Sequence, residues 1–269
     1  MRFKIIVLVL LVSLPTIANA MKNEIFQEML HKISGGDFVT VENFLEKNRD
    51  TYKQDPEYYV ILLNYSFSKE TRNETVIAKG EPGKGDLSLC DTTTGEVVGF
   101  IGERNRPDNK LIVKSIQETE DALKYFNDRL DIHFGIAHIA FETKHWEILS
   151  RQLLEILKVS KNINNNWKWG LVNAMEGDPK DFMLNNVQAK INGLFYVDSS
   201  ETDKVVEAVS AAMIREYPGV IYGYSNLGVL YLAQEKYDLA ENYINQALAI
   251  DPKDEIVSGN LKLLREKKK

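Results

Sequence analysis

The stretch YSNLGVLYLAQEKYDLAENYINQALAIDP, residues 224–252, constrains the fold of this chain more than any other part of it. Leu227, Leu230 and Tyr231 recur at the three- and four-residue spacing of one helix face, and the same spacing returns in the second half of the stretch. A polar segment, AQEKYD, separates the two halves. Because the residue before a proline avoids helical backbone, Pro252 marks the end of the second helix. The pattern predicts an αα-hairpin, two short helices joined by a tight turn.

The residue types of this stretch resemble those of the tetratricopeptide repeat, a unit of about 34 residues with the pattern W-x2-L-G-x2-Y, then A-x3-F, then P. The matching positions are Tyr224, Leu227, Gly228, Tyr231, Ala240, Ile244 and Pro252. Gly228 and Ala240 are small, so we expect the two helices to cross closely there. The resemblance implies a solenoid of stacked helical hairpins whose inner groove holds a peptide or another protein.

One hairpin of this kind cannot bury its apolar face alone, so we expect neighbouring copies. The clear copy covers 221–254, a weak copy covers 187–220 and a degenerate copy covers 130–160. Together they predict a TPR-like helical domain over 109–269. The N-terminal region, 21–75, has three helical segments separated by a Gly-Gly turn and an Asp-Pro pair, without the consensus residues. We therefore predict a mainly α fold, a TPR-like helical-hairpin solenoid.

Residues 76–108 interrupt the helical pattern. The alternation in DLSLC, the turn residues DTTTG and the β-branched EVVGFIG predict a β-hairpin insertion around residues 86–102. The hairpin either folds over the groove and sets specificity, or covers a hydrophobic end of the solenoid. Cys90, the single cysteine of the chain, lies in an apolar strand, so we expect a packed thiol.

The first 20 residues have the pattern of a secretory signal peptide: basic MRFK, apolar IIVLVLLVSL, and alanines 18 and 20 in the A-x-A positions. The apolar run is short for a span, which needs about 20 residues. We expect cleavage after Ala20 and export to the periplasm or the cell exterior, without stable membrane insertion afterwards. The alternative is a retained membrane anchor. A formal net charge of -6 argues against a nucleic-acid partner.

The sequence lacks a recognisable catalytic motif. His138 and Glu142 share a helix face, but a zinc site needs a third and usually a fourth ligand, which the sequence does not nominate. We therefore expect no enzyme activity, no cofactor and no metal site. An alternative interpretation is a glycan-binding protein or hydrolase with a pocket near Trp167, Trp169 and the β-hairpin. Otherwise these two indoles plug the space between helices.

In the family that the chain resembles, the first helix of each unit lines the groove. The corresponding candidates here are Tyr222, Ser225, Asn226, Val229, Leu232, Phe134, His138 and Phe141. This set is apolar and aromatic, with Asn226 as the one obvious polar member, so we expect an apolar or helical protein ligand. We expect such a scaffold to serve in the assembly of an envelope complex.

The segment after Lys253 is expected to form a last helix. Its apolar residues Ile256, Leu261 and Leu264 need cover. The helix either caps the solenoid, as repeat arrays require for solubility, or mediates self-association of two chains.

Overall fold

A computed structural model describes residues 21–72, 74–104, 109–170, 175, 177–197 and 199–269. Its α-helices are α1 Asn23–Gly35, α2 Phe38–Asn48, α3 Pro56–Thr71, α4 Lys110–Ala122, α5 Leu130–Glu142, α6 Trp146–Asn162, α7 Pro179–Leu194, α8 Ser200–Glu216, α9 Tyr222–Ala233, α10 Tyr237–Ile250 and α11 Glu255–Lys267. The strands are β1 Glu74–Ala78, β2 Leu87–Cys90 and β3 Val97–Arg104. This composition confirms the predicted mainly α fold with a β insertion. The predicted signal peptide lies outside the described residues.

The N-terminal helices begin and end at the residues that the sequence indicated. Gly36 has φ 78, and its N–H donates to the Ile33 carbonyl at 3.0 Å, which ends α1 in a left-handed cap. The Asp37 carboxylate then accepts the Thr40 N–H and begins α2. Asp55 caps α3 in the same way, accepting the Glu57 N–H at 2.9 Å, with proline at the first helical position.

The C-terminal half is a stack of helical hairpins. Helix α5 pairs with α6, α9 pairs with α10, and α8 packs against both α6 and α9. Helix α7 buries Met183, Val187 and Ile191 in the same core. Among the described helices, none is both long enough and apolar enough to cross a membrane.

Helix α5 belongs to two hydrophobic cores at once. Ile132 and Ile136 face the core formed with α1 to α4. Phe134 and Ala137 face the core of the helical stack. A helix that is buried on two sides must be apolar almost all round, as this one is. The N-terminal helices are therefore packed directly against the stack.

The insertion is a three-stranded antiparallel sheet in the order β1-β3-β2. Strands β2 and β3 form the predicted hairpin, closed by a turn in which the Asp91 carboxylate accepts the Thr93 and Thr94 N–H groups at 2.7 and 2.9 Å. Strand β1, which the sequence did not predict, pairs with the far side of β3. Ile77 and Leu87 both pair with residues of β3, yet they are 73% and 68% exposed.

The prediction of a packed Cys90 is wrong, because its side chain is exposed. Cys90 ends the edge strand β2, next to a register shift at Leu89. The described sheet residues also lie outside the three hydrophobic clusters of the structure. Several apolar side chains of this sheet are exposed, among them Ile77, Leu87, Val97 and Val98, and the described sheet residues do not contribute to the helical cores.

Helix α11 closes the stack. Its residues Val257 and Leu264 are buried against α9 and α10, while Leu261 is half-buried and Ile256 is exposed. The ammonium of Lys268 contacts the carboxylates of α10 residues Asp238 and Glu241 at 2.9 and 2.7 Å. Most of the apolar face of α11 thus finds its cover within the same chain, as expected of a capping helix.

Candidate binding groove

The clear repeat forms the close helix crossing that its small residues predicted. A Cβ added at Gly228 would lie 2.7 Å from Cγ1 of Ile244, which is too close for two carbon atoms. Ala240 and Ile244 are fully buried on the facing side of α10. The prediction that Gly228 permits a close approach of α9 and α10 is confirmed.

Helix α7 lies beside α9 and is joined to it by a pair of side-chain amides. Gln188 donates to Oδ1 of Asn226 at 2.8 Å, and Asn226 donates back to Oε1 of Gln188 at 2.9 Å. Asn226 is only 3% exposed. Because a buried amide needs partners, this reciprocal pair fixes the register of α7 against α9.

Two exposed asparagines extend this contact along α7. Asn185 accepts a hydrogen bond from the Tyr222 hydroxyl at 2.7 Å, and Asn192 accepts one from Gln188 at 2.8 Å. Residues three and seven positions apart lie on one helix face, so the three α7 amides form a row. We call Asn185, Gln188, Asn192 and Asn226 the amide stripe. It runs along the surface between α7 and α9.

On its other side, α7 contacts α5 through a cation. Lys190 donates to Nδ1 of His138 at 3.3 Å and lies 5.2 Å above the ring of Phe141. Glu142 is the nearby acid, at 3.8 Å from the same His138 nitrogen. Burial, then the positive charge of Lys190, lowers the pKa of His138 below its ordinary value. His138 is therefore a neutral acceptor for Lys190 at neutral pH.

Three of the eight predicted groove residues are buried: Asn226 is 3% exposed, Leu232 7% and Phe134 8%. Tyr222, Ser225 and Val229 of α9 and Phe141 of α5 are half-buried, and His138 is exposed. Phe134 and Leu232 lie in hydrophobic cores instead. Phe134 is buried because α5 is covered on two sides, and Leu232 because its cluster includes residues of α11. Neither side chain is accessible to a ligand.

The surface between α5, α7 and α9 is more polar than the sequence indicated. The expected apolar and aromatic lining took its residues from α5 and α9 alone. Helix α7 adds Asn185, Gln188, Lys190 and Asn192, which sequence reasoning missed. The sequence pattern could have identified them, because they are polar residues at helical spacing on the side of α7 opposite its apolar face. This surface therefore offers hydrogen bonds and one ammonium group beside a few half-buried apolar side chains.

The two tryptophans lie in and beside the core. Trp167 is buried, donates through Nε1 to the Ser160 hydroxyl at 2.9 Å, and meets the His133 ring edge-on at 5.5 Å. Trp169 is half-buried and packs edge-on against Phe182 at 5.1 Å. Because Trp167 has both faces in the protein, it does not offer the flat platform that a sugar needs. The burial of Trp167 fits the alternative in which its indole fills the space between helices.

Candidate metal ligands do not assemble in the part of the chain that the structure covers. Within it, no three His, Cys, Asp or Glu side chains come close enough to hold one ion. Among the described residues, the pair His138 and Glu142 is not joined by a third His, Cys, Asp or Glu ligand.

Comparison with known protein families identifies one segment of the chain. Residues 221–254, which contain α9 and α10, match the family model of the tetratricopeptide repeat. A comparison with curated proteins finds no match. The chain thus contains a tetratricopeptide repeat, as its sequence pattern predicted. Repeats of this family are typical of non-enzymatic scaffolds for protein–protein interaction.

Proposed function

We propose that this protein is an exported scaffold that binds a protein or peptide segment in the groove between α5, α7 and α9. The amide stripe is the observation that carries this proposal. It lies on the first helices of successive hairpins, next to the matched repeat. A binding surface of this kind engages a chain rather than a compact small molecule, because its polar groups are spread along two helices.

The chemistry of the stripe suits a peptide backbone. A side-chain amide offers both a carbonyl acceptor and N–H donors, so it can pair with any peptide unit regardless of the ligand's sequence. Gln188 and Asn226 hold each other in place. The Asn185 carbonyl oxygen accepts from the Tyr222 hydroxyl, and that of Asn192 accepts from Gln188. Among the described residues, the side-chain N–H groups of both asparagines meet no acceptor. Those exposed N–H groups are the donors that we assign to ligand carbonyls.

Side-chain preference comes from the groups that flank the stripe. Val229 and Phe141 supply half-buried apolar surface, and Lys190 supplies a positive charge next to His138. We therefore propose a ligand segment that carries an acidic residue near apolar ones. Such a segment gains from both contacts, while a strongly basic segment meets repulsion at Lys190.

Export is the second part of the proposal. The basic, apolar and A-x-A elements of residues 1–20 support cleavage after Ala20 and a location in the periplasm or outside the cell. A scaffold in that location fits a role in assembling an envelope complex. The partner there would be another exported protein.

Site-specific photo-crosslinking in the native host tests the groove. A photoreactive residue replaces Asn185 in the stripe, and the matched control replaces Asn242, an exposed asparagine on α10. We expect one discrete crosslinked protein from position 185 and none from position 242. Adding Val229→Glu should abolish that product, because it places a charge in the groove. Identical products from both positions, or none from position 185, would contradict the proposal.

A further inference from the structure

A buried cluster of charged residues lies where the start of α3 meets the start of α5. Arg129 donates to Glu57 at 2.8 Å and to both oxygens of Asp131 at 2.8 Å. Asp55 lies beside Glu57 and caps α3. We call Asp55, Glu57, Arg129 and Asp131 the acidic cluster. It holds three carboxyl groups and one guanidinium group, so it is short of positive charge.

The shortage is most evident at Glu57, which is 3% exposed. One of its oxygens, Oε1, is buried and has no hydrogen-bond partner in the part of the chain that the structure covers. Burial raises the pKa of Glu57, and the negative charges of Asp55 and Asp131 raise it further. A buried carboxylate with an unpaired oxygen is costly, so a further donor or cation is expected at this place.

The backbone nitrogen of Met21 reaches the same cluster. Its N–H donates to Oδ2 of Asp55, which is 7% exposed, and the Met21 side chain is itself only 5% exposed in the N-terminal core. As part of a peptide bond, this nitrogen is neutral and offers one N–H. As a chain terminus it would be an ammonium group, with a positive charge and three N–H donors.

We infer that Asp55, as part of the acidic cluster, is the binding site for the α-ammonium group of a mature chain that begins at Met21. This inference rests on the proposed export, because removal of the signal peptide creates that group. A signal-type peptidase hydrolyses the bond between Ala20 and Met21, and the water that is consumed leaves a carboxylate on Ala20 and an ammonium on Met21. The new charge then enters a cluster in which three carboxyl groups face one guanidinium group.

The consequence is a link between processing and the stability of the N-terminal helices. After cleavage, an ion pair joins the start of α1 to the start of α3, at Asp55. Before cleavage the same site holds only a neutral N–H, and the cluster keeps its excess of negative charge. The first residues of the mature protein should therefore be packed against α3 more stably than the same residues of the precursor.

The test uses protein purified from the host, and its first step identifies the N-terminal residue of the purified chain. Amine acetylation at neutral pH is then followed by mass spectrometry of the N-terminal peptide. An ion-paired, buried α-amine is protonated and shielded, so it should react at least about tenfold more slowly than the same amine in urea, which corresponds to one pKa unit or more. The side-chain amine of exposed Lys22 serves as the internal reference.

Two matched variants separate the ion pair from helix capping. Asp55→Asn keeps an oxygen that can cap α3 but removes the charge, and it should speed acetylation of the α-amine about tenfold. Asp37→Asn makes the same change at the cap of α2, which does not contact Met21, and should leave the rate unchanged.

The outcomes distinguish this inference from the export proposal. A purified chain that still carries residues 1–20 would overturn both. A chain that begins at Met21, with an α-amine as reactive as in urea, would overturn the binding site and leave export standing. Equal acceleration by Asp55→Asn and Asp37→Asn would also overturn it, since loosening of the helices would then explain the effect.

Discussion

At the scale of single residues, two glycines set the distance between α9 and its neighbours. Gly228 allows α10 to approach, and the repeat pattern identified it from sequence. Gly223 does the same toward α8. A Cβ there would lie 2.5 Å from the carbonyl oxygen of Ser210 and 2.8 Å from Cγ1 of Ile214. The backbone carbonyl cannot turn aside without disturbing α8, so Gly223 is the less replaceable of the two.

Replacing Gly223 with alanine should lower the free energy of unfolding by about 1–3 kcal/mol, the usual cost of overpacking a tight contact. Gly259→Ala on α11 is the matched control, because a Cβ at that position meets no atom within 4 Å. The control should raise stability by up to about 1 kcal/mol through helix propensity. Urea denaturation of both variants makes the comparison. A Gly223→Ala variant as stable as the control would show that α8 and α9 are not in close contact.

At the scale of elements, local patterns in the sequence predicted the helices, but they did not predict which elements pack or pair with one another. Helical spacing, caps and the Asp-Pro pair predicted the helices, and the DTTTG turn predicted the β2–β3 hairpin. The sequence did not predict strand β1, because this strand pairs with β3, more than twenty residues away, and no turn signal links the two strands. The exposure of Cys90 was not predicted for the same reason. Whether a strand lies at the edge of a sheet depends on which other strands pair with it.

His133 joins several of these elements. It lies on α5, donates through Nε2 to the carbonyl of Asn127 at 3.0 Å, and accepts at Nδ1 from Gln152 of α6. A carbonyl oxygen can only accept, so Nε2 carries a proton. The hydrogen bond that Gln152 donates leaves Nδ1 without a proton, so the ring is neutral. Burial lowers the pKa of His133 below its ordinary value near 6.5.

This protonation state predicts a dependence of stability on pH. The unfolded chain binds a proton at His133 below about pH 6.5, while the folded chain resists protonation until its lower pKa is reached. Stability from His133 is thus present above pH 6.5 and lost as pH falls below it, by up to about 1.4 kcal/mol per pH unit. Unfolding measured from pH 7.5 to 5 should show a shallower fall for His133→Gln than for wild type. Equal slopes would contradict a neutral, buried His133.

At the scale of the whole molecule, the proposed groove involves three helices and not one repeat. The matched repeat accounts for α9 and α10. Helix α7 begins at Pro179, ahead of the weak copy that was predicted to start at residue 187. Its side-chain amides could be assigned to the surface beside α9 only from the structure. Repeat consensus residues describe how hairpins pack together. The ligand-facing positions are free to vary, so the consensus says little about them.

The same reasoning explains where the structure places the predicted groove residues. Asn226 and Val229 lie on the clear copy. Val229 is half-buried, whereas the Asn226 amide is buried against Gln188. Phe134 lies on the degenerate copy, and its burial depends on the N-terminal helices that cover α5. Those helices carry no consensus residues, so the sequence did not reveal that they pack against the stack.

The central claim is that the amide stripe binds the partner's backbone, and the affinity of the crosslinked partner tests it most directly. The dissociation constant is measured by calorimetry for wild type, for Asn185→Ala with Asn192→Ala, and for the control pair Asn242→Ala with Gln246→Ala on α10. All four residues are exposed, so the substitutions should leave the fold intact. Loss of two hydrogen bonds should weaken binding about tenfold or more, at about 1 kcal/mol each, and the control should bind as wild type does. Wild-type affinity in the Asn185 and Asn192 double variant would contradict the claim.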